Sequence, residues 1–288
     1  MDGKILVTGA SGQLGSLVVS ELLKRVAPEQ VVALVRREEA AAPLKEQGVE
    51  VRMGAYGDAP ALAAAMKGID RVLLISGSEV GNDRQAQHAS VIEAAKAEGV
   101  SLIAYTSILR AEESGLWLAV DHKATEEAIR ASGLPFAFLR NGWYTENMLM
   151  GLAQSLEAGA FIGASGKGRY ASAARADYAE AAAVVLTSDS PEGTYELAGS
   201  QSYDMEEFAA EAGRLAGKEV GYADMPEAAL KDVYLKSGLP EVVAHMLADS
   251  SAHAANGDLN GSSAELEGLI GRKSSDWKED LAAAYKAL

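Results

Sequence analysis

Residues Lys4–Gly15 read KILVTGASGQLG, and this stretch decides how the first part of the chain folds. Lys4–Val7 can form a buried strand, and glycines follow at Gly9, Gly12 and Gly15 before an amphipathic helical pattern. The first glycine permits a tight turn, the second lets a pyrophosphate approach the backbone, and the third lets the helix pack closely on the sheet. The free N–H groups and positive dipole end of such a helix favour phosphate. The stretch predicts a dinucleotide site; a glycine turn with only a structural role is the alternative.

The composition narrows the class of protein. The chain has 288 residues, of which 48% are hydrophobic, so it can bury an ample core. Its 26 Lys and Arg against 41 Asp and Glu give a net charge of −15, which argues against nucleic-acid binding and against an anionic membrane surface. It contains no cysteine, which excludes disulfides and thiol catalysis.

The absence of membrane-spanning and targeting segments also favours one cellular compartment. No apolar run approaches the roughly 20 residues that span a bilayer, and the first strand begins almost at once, without an apolar leader. We therefore expect a cytoplasmic protein with no membrane or nucleic-acid partner, and we leave a homodimer open.

A rhythm of strand, helix, glycine and strand repeats through the first half of the chain. Four of the predicted helices are each followed by a glycine and then an apolar residue, which is typical of a left-handed helix end. These glycines are Gly48, Gly68, Gly99 and Gly133. The rhythm predicts right-handed βαβ units, hence an α/β fold with a Rossmann-like, doubly wound parallel sheet covered by helices.

The second half reads as a smaller, helix-rich C-terminal lobe. We expect helices over Glu146–Glu157 and Asp177–Leu186, the second with an Asp177…Glu180 capping box. A further capping box, Asp204…Glu207, opens a helix that stops near Gly217. The expected division is a Rossmann-like NADP-binding lobe of residues 1–148 and 171–200, and a smaller substrate lobe of residues 149–170 and 201–288.

The end of the second predicted strand indicates which dinucleotide is bound. NAD-type sites place an Asp or Glu there to accept hydrogen bonds from the ribose 2′-hydroxyl. This chain has Arg36, followed by Arg37. A guanidinium can pair bidentately with a 2′-phosphate and stack on adenine, so Arg36 favours NADPH over NADH. Solvated arginines after a strand are the alternative.

Two later loops are further candidates. Asp58 could contact adenine, although an ordinary helix N-cap explains it as well. Ser76, Gly77 and Ser78 follow the fourth strand at the carboxyl end of the sheet, where a cofactor should cross. A plain loop explains these three residues nearly as well.

Missing motifs narrow the chemistry. None of the ten tyrosines has a lysine four residues later, so the Tyr-x-x-x-Lys pair of short-chain dehydrogenases is absent. Thr106 and Ser107, near the usual catalytic serine, are then at most cofactor or substrate contacts. The four histidines show no zinc-ligand spacing. The remaining chemistry is direct hydride donation to an electrophile that needs little acid help, such as a quinone.

Several stretches together resemble one family. Thr8–Gly15, Val32–Arg36, Ile103–Ser107, Leu139–Asn147 and Ser172–Tyr178 look like the NmrA-like atypical short-chain dehydrogenases, in particular the bacterial type-2 NAD(P)H:quinone oxidoreductases and the triphenylmethane reductases. The resemblance covers essentially the whole chain. Ser11 stands where the family commonly has threonine, which conserves the hydroxyl.

The resemblance implies NADPH in a cleft between the two lobes, and it assigns site residues by position. The residues implied to bind the cofactor are Gly9, Ala10, Ser11, Gly12, Gln13, Leu14, Gly15, Arg36, Ser76, Gly77, Arg140, Asn141, Gly142, Trp143, Tyr144 and Thr145. The residues expected at the electron acceptor are Asn141, Trp143, Tyr144 and Met148. Core packing on a helix face is the alternative for Met148, and Trp117 is a weaker candidate. No metal is expected.

His122 is the candidate catalytic residue. It aligns with a functional lysine of the plant isoflavone-reductase-like relatives, and it could steady the nicotinamide ribose or lend a proton. A surface histidine near a helix start is the alternative. The resemblance thus implies an NADPH-dependent reductase of quinones or similar flat electrophiles, triphenylmethane dyes among them. The alternative function is an NADP(H)-binding redox sensor of the NmrA type without turnover.

Overall fold

The computed structural model describes residues 3–77 and 84–288 and contains a large sheet and a two-stranded ribbon. The described strands are β1 (Lys4–Val7), β2 (Val31–Val35), β3 (Glu50–Met53), β4 (Ile69–Leu74), β5 (Leu102–Ile108), β6 (Phe136–Asn141), β7 (Ala160–Gly163), β8 (Gly193–Leu197) and β9 (Gly221–Asp224). The large sheet has the order β3-β2-β1-β4-β5-β6-β8, and β7 pairs with β9 in the parallel ribbon.

Parallel pairing runs from β3 through β5. The chain moves outward from β1 to β3, returns to β4 on the other side of β1, and continues outward from there. This reversal between β1 and β4 is the switch point at which doubly wound sheets bind their ligands. The expected Rossmann-like α/β class is confirmed.

Helices account for the connections between strands. The described α-helices are α1 (Gln13–Leu22), α2 (Ala42–Glu46), α3 (Ala59–Met66), α4 (Arg84–Glu98), α5 (Trp117–Ser132), α6 (Thr145–Met148), α7 (Leu152–Ala158), α8 (Arg175–Thr187), α9 (Met205–Ala216), α10 (Glu227–Lys236), α11 (Glu241–Ala254), α12 (Ala264–Ile270) and α13 (Trp277–Lys286). Among the described residues, none of these helices has the length and apolar character to cross a membrane. Ser78, which the sequence placed in the loop after the fourth strand, lies outside the described residues.

The central strands are buried on both faces, as their continuous apolar runs predict. Every residue of β2 is buried, and Ile5, Leu6 and Val7 of β1 are 0% exposed. One apolar cluster beside these strands includes Leu62 from α3 and Phe138 from β6. Because the central strands are fixed by this packing, the loops at their carboxyl ends start from fixed positions.

Two helix predictions in the second half are corrected. The expected helix over Glu146–Glu157 is two helices, α6 and α7, because Gly151 between them has a left-handed φ of 73°. The Asp177 capping box is wrong, since α8 already begins at Arg175 and Asp177 lies within its first turn. The Asp204 box is confirmed: the Asp204 carboxylate accepts the Glu207 N–H at 2.8 Å.

The chain groups into two compact units. The first contains Met1–Ile108, Asp121–Arg140 and Arg175–Tyr195, and the second contains Leu109–Val120, Asn141–Ala174 and Glu196–Leu288. Four segments that the expected division gave to the Rossmann-like lobe fall in the second unit: residues 109–120, 141–148, 171–174 and 196–200.

A buried carboxylate ties α5 to two strands of the large sheet. Glu126 is 0% exposed and accepts hydrogen bonds from the Arg140 guanidinium at 2.9 and 2.6 Å. Ser107 of β5 donates its hydroxyl to the same carboxylate at 2.6 Å. The Arg140 side chain is only 8% exposed, so neither charge has much access to water. Removing either partner would leave a buried charge without its counter-charge, which would strongly destabilise the fold.

We expect Glu126→Gln to lower the free energy of unfolding by about 3–5 kcal/mol, because it leaves a buried guanidinium without its counter-charge. Urea denaturation followed by circular dichroism measures this change. The matched control is Glu127→Gln, an exposed neighbour on the same helix, for which we expect a change within about 0.5 kcal/mol. Equal stabilities of the two variants would contradict the role given to Glu126.

Candidate cofactor site

A pocket of about 730 Å³ lies at the carboxyl ends of β1, β2, β3 and β4, where the strand order reverses. Its walls are the segments that follow each of these strands, together with one residue of α4. The lining residues are 9, 11–15, 34–37, 54–57, 75–77 and 87. This is the position at which open α/β sheets bind ligands.

Each glycine of the first turn has its own physical role. Gly9 has a left-handed φ of +58°, a conformation that strains other residues. A Cβ on Gly15 would lie 2.2 Å from the Gly9 carbonyl oxygen and 2.8 Å from the Ala10 Cα, so only glycine lets α1 pack this closely on the end of β1. A Cβ on Gly12 would lie 3.1 Å from the Gly9 carbonyl oxygen. Since Gly12 lines the pocket, its missing side chain leaves room for a ligand against the backbone.

The start of α1 provides hydrogen-bond donors to the pocket. Gly12 is the N-cap in an extended conformation and has no side-chain cap, and the first turn has no acidic residue. The Gly12 N–H donates to the Gly9 carbonyl at 2.9 Å, and the Ala10 N–H donates to the Leu34 carbonyl at 3.2 Å. These two N–H groups are therefore bonded within the protein. The residues of the first helical turn that line the pocket are Gln13, Leu14 and Gly15. A helix start of this kind suits a phosphate group.

Ala10 differs from the neighbouring residues of the turn, and its expected contact with the cofactor stays a prediction. It is 0% exposed and is not part of the described pocket wall, and its N–H is already bonded to β2. It acts as part of the turn that shapes the site. The pocket is lined by the predicted residues Gly9, Ser11, Gly12, Gln13, Leu14, Gly15, Arg36, Ser76 and Gly77. Arg140 and His122, which also belong to the first unit, are not among its lining residues.

Arg36 and Arg37 both line the pocket, and both are exposed. Both residues directly follow β2, so they lie at the carboxyl end of this buried strand. Asp58 is the N-cap of α3, where its carboxylate accepts the Ala61 N–H at 3.0 Å. The N-cap interpretation of Asp58 is confirmed, and the positive side of the site is formed by the two arginines.

Tyr56 is a pocket residue that the sequence reasoning missed. It comes from the loop after β3; its hydroxyl lies 2.5 Å from the Thr8 hydroxyl and donates to the Ile75 carbonyl at 2.7 Å. The Thr8 hydroxyl also accepts the Ile75 N–H at 3.0 Å. Burial raises the pKa of Tyr56, so the hydroxyl stays protonated and ties the ends of β1 and β4 together. Nothing in the local sequence marks this tyrosine, because its partners come from two other strands.

The turn after β4 is held by two buried side chains. The Ser76 N–H donates to the Thr106 hydroxyl at 2.8 Å, and the Gly77 N–H donates to Nε2 of His88 at 2.9 Å. Thr106 and Ser107 are thus used inside the protein, since Ser107 donates to Glu126. His88 is a second residue that sequence reasoning missed, because only the fold brings α4 beneath this turn.

His122 is buried rather than a surface residue, so the surface alternative is wrong. It is 7% exposed, and its Nδ1 lies 2.8 Å from the Tyr105 hydroxyl. Burial, with smaller contributions from the charges of Arg84 and His88, lowers the pKa of His122 to about 3. The ring is uncharged at neutral pH. A catalytic role for His122 stays a prediction, and it would involve a neutral imidazole.

The predicted residues after β6 are held in the second unit by backbone and hydroxyl contacts. The Ala173 N–H donates to the Trp143 carbonyl at 3.1 Å, and the Thr145 N–H donates to the Ala173 carbonyl at 2.9 Å. The Asn141 amide lies 3.4 Å from the Tyr144 hydroxyl. Gly142 bonds through its N–H to the Leu197 carbonyl at 2.7 Å, and Trp143, Tyr144 and Met148 are half-buried.

Arg140 differs from these neighbours, because its guanidinium is held by Glu126 in the buried pair described above. A cofactor-binding role for Arg140 and for residues 141–145 stays a prediction. Within residues 3–77 and 84–288, no group of three or more His, Asp or Glu side chains could hold a metal ion.

Comparisons with known proteins identify the family of the chain. The pattern of the NAD(P)H-binding family matches residues 9–189. Quinone oxidoreductase 2 of Escherichia coli K12 is 46% identical over 282 residues, which is 98% of each chain. The solved structure of the E. coli NADPH-dependent quinone oxidoreductase complexed with NADPH has a TM-score of 0.95, with 98% of this chain and 99% of that chain covered. The Citrobacter sp. triphenylmethane reductase complexed with NADP(H) is 38% identical, with a TM-score of 0.92 and coverage of 99% and 100%.

This chain belongs to the NAD(P)H-binding family of Rossmann-type proteins. Within it, the chain groups with the type-2 quinone oxidoreductases and triphenylmethane reductases, so the resemblance to NmrA-like atypical short-chain dehydrogenases is confirmed.

We expect Gly15→Ala to lower the free energy of unfolding by about 1–3 kcal/mol, because the new methyl group forces α1 away from β1. Thermal unfolding measures the effect. The control is Gly268→Ala in α12, where a Cβ meets no atom within 4 Å, so we expect unchanged or slightly raised stability. A Gly15 variant as stable as the Gly268 variant would contradict the close-packing role.

Proposed function

We propose that this protein is an NADPH-dependent reductase that transfers hydride from the nicotinamide to quinones or similar flat electrophiles, triphenylmethane dyes among them. The observation that carries the proposal is the pocket at the switch point, where an uncapped helix start and two arginines face one cavity. The proteins to which the chain is similar along its whole length are named as reductases, which supports turnover over the redox-sensor alternative.

The donors in the pocket suit a phosphorylated dinucleotide. The first turn of α1 would bind the pyrophosphate, since its amides and helix dipole favour negative charge and Gly12 leaves the backbone uncovered. Arg36 would hold the 2′-phosphate through a charge-assisted pair that a carboxylate at this position would prevent. Ser76 and Gly77 would border the cofactor further along the sheet edge.

NADPH supplies the hydride when it is bound, so the protein is required mainly to orient the reactants. We assign Asn141, Trp143 and Tyr144 to the acceptor, with Met148 as an apolar contact. The backbone from Trp143 to Thr145 is held by the pairing with Ala173, which would keep the two aromatic side chains in place. The quinone oxygens can take protons from water, so the absence of a Tyr-x-x-x-Lys pair is compatible with turnover. The cytoplasmic location and the homodimer remain proposals from the sequence; light scattering after size-exclusion chromatography measures the second.

We expect the purified protein to oxidise NADPH when benzoquinone, menadione or a triphenylmethane dye is added, without added flavin or metal. The loss of NADPH absorbance measures the rate. A protein that binds NADPH but shows no turnover above background with any of the three acceptors would favour the redox-sensor function instead.

We expect Arg36→Asp to reduce the preference for NADPH over NADH by about 10- to 100-fold, since hydrogen bonds to charged groups contribute about 1.5–3 kcal/mol. Titration with each dinucleotide measures the ratio of dissociation constants. Arg272→Asp is the matched control, because it changes the net charge equally at an exposed arginine that does not line this pocket. An unchanged ratio of dissociation constants in Arg36→Asp would contradict the assignment of the 2′-phosphate to Arg36.

A further inference from the structure

His88 is a buried titratable residue that the proposed hydride transfer does not use. It lies on α4, is 1% exposed, and does not appear in the lining of the pocket, whereas Ser76 and Gly77 do. Its Nε2 accepts the Gly77 N–H at 2.9 Å, and its Nδ1 lies 2.9 Å from the Thr125 hydroxyl of α5. Both ring nitrogens therefore have defined partners, although the ring is inside the protein.

These contacts select one form of the ring. Because Nε2 accepts a hydrogen bond from a backbone N–H, the proton of the neutral imidazole is on Nδ1. The Thr125 hydroxyl donates to the Asp121 carbonyl at 2.8 Å, which leaves its oxygen to accept the proton of His88 Nδ1. Burial lowers the pKa of His88 to about 4, with a further contribution from the Arg84 charge, so the ring is neutral at pH 7.

The bond also orients the backbone at the pocket wall. In a planar trans peptide the N–H and the preceding carbonyl point in opposite directions. Since the Gly77 N–H points to His88, the Ser76 carbonyl points away from it. The neighbouring peptide is fixed as well, because the Ser76 N–H donates to Thr106 and the Ile75 carbonyl accepts the Tyr56 hydroxyl. A carbonyl held in this way suits a ribose hydroxyl or a carboxamide N–H, the donors that a dinucleotide carries.

We propose that His88 is a positioning residue for the dinucleotide: its Nε2 holds the peptide between Ser76 and Gly77 so that the Ser76 carbonyl is presented to the ligand, and Thr125 selects the ring tautomer that can do this. The inference rests on the proposed function, since it assumes that the pocket binds a dinucleotide. It adds a residue that does not touch the ligand and that acts through the turn after β4.

Two substitutions separate the contacts of the two ring nitrogens. His88→Gln places an amide oxygen where Nε2 accepts the Gly77 N–H, whereas the shorter amide of His88→Asn reaches only toward Thr125. We expect the dissociation constant for NADPH to rise about tenfold in His88→Asn, because a buried amide loses its acceptor, and to stay within about threefold of wild type in His88→Gln. Thr125→Val tests the tautomer without altering His88, and we expect a rise like that of His88→Asn.

A second measurement needs no dinucleotide. Nitrogen NMR of the free protein should show His88 protonated at Nδ1 and not at Nε2, and the Gly77 amide should exchange slowly with solvent. We expect this exchange to be at least about tenfold faster in His88→Asn than in wild type and near wild type in His88→Gln. Thermal unfolding identifies any variant that does not fold. If a His88 variant does not fold, the Thr125 variant and the wild-type spectra still test whether His88 holds the Gly77 amide.

The outcomes distinguish this inference from the proposed function. A Gly77 amide that exchanges freely in wild type, or a His88 proton on Nε2, would overturn the inference. So would folded Asn and Val variants that bind NADPH as wild type does. Tight NADPH binding without reduction of any acceptor would contradict the proposed reductase activity alone, because the binding and exchange data would still judge His88.

Discussion

A Cβ at residue 15 would lie 2.2 Å from the Gly9 carbonyl oxygen, so α1 can approach the end of β1 only because that residue is glycine. This close approach is the constraint on which the site depends. It places the uncapped first turn of the helix at the carboxyl edge of the sheet, where its amides line the pocket. The buried strands fix the other side of the contact, since β1 cannot shift without exposing apolar side chains.

The remaining loops of the pocket are held by side chains that cross from one strand to another. Tyr56 joins Thr8 to the segment after β4, and Thr106 and His88 bind the next two amides of that segment. These bonds satisfy backbone groups that would otherwise lose water on burial. The same side chains thus stabilise the fold and set the shape of the site, which explains why polar residues are buried beneath a pocket wall.

Much of the fold and of the candidate site could be predicted from the sequence. The glycine spacing, the buried strands and the arginine after β2 are local signals, and each has a physical role that does not depend on distant residues. The failures lie where a distant contact or a single backbone angle decides. A left-handed Gly151 divides a continuous helical pattern, and an earlier start of α8 makes Asp177 a first-turn residue. The surface position that was the alternative for His122 is also wrong, because the fold buries this residue against Tyr105.

The order of residues alone determined the parallel α/β class, the glycine turn after β1 and the positive charge at the end of β2, because strand burial, glycine geometry and residue charge act over a few neighbouring positions. Tertiary structure decided which polar groups are partners. Gly77 and His88 are close in sequence, but the bond between them requires α4 to lie beneath the end of β4, and its tautomer requires Thr125 from α5. Hydrogen bonds are short and directional, so their partners are defined only when the packing of the sheet and helices has placed them.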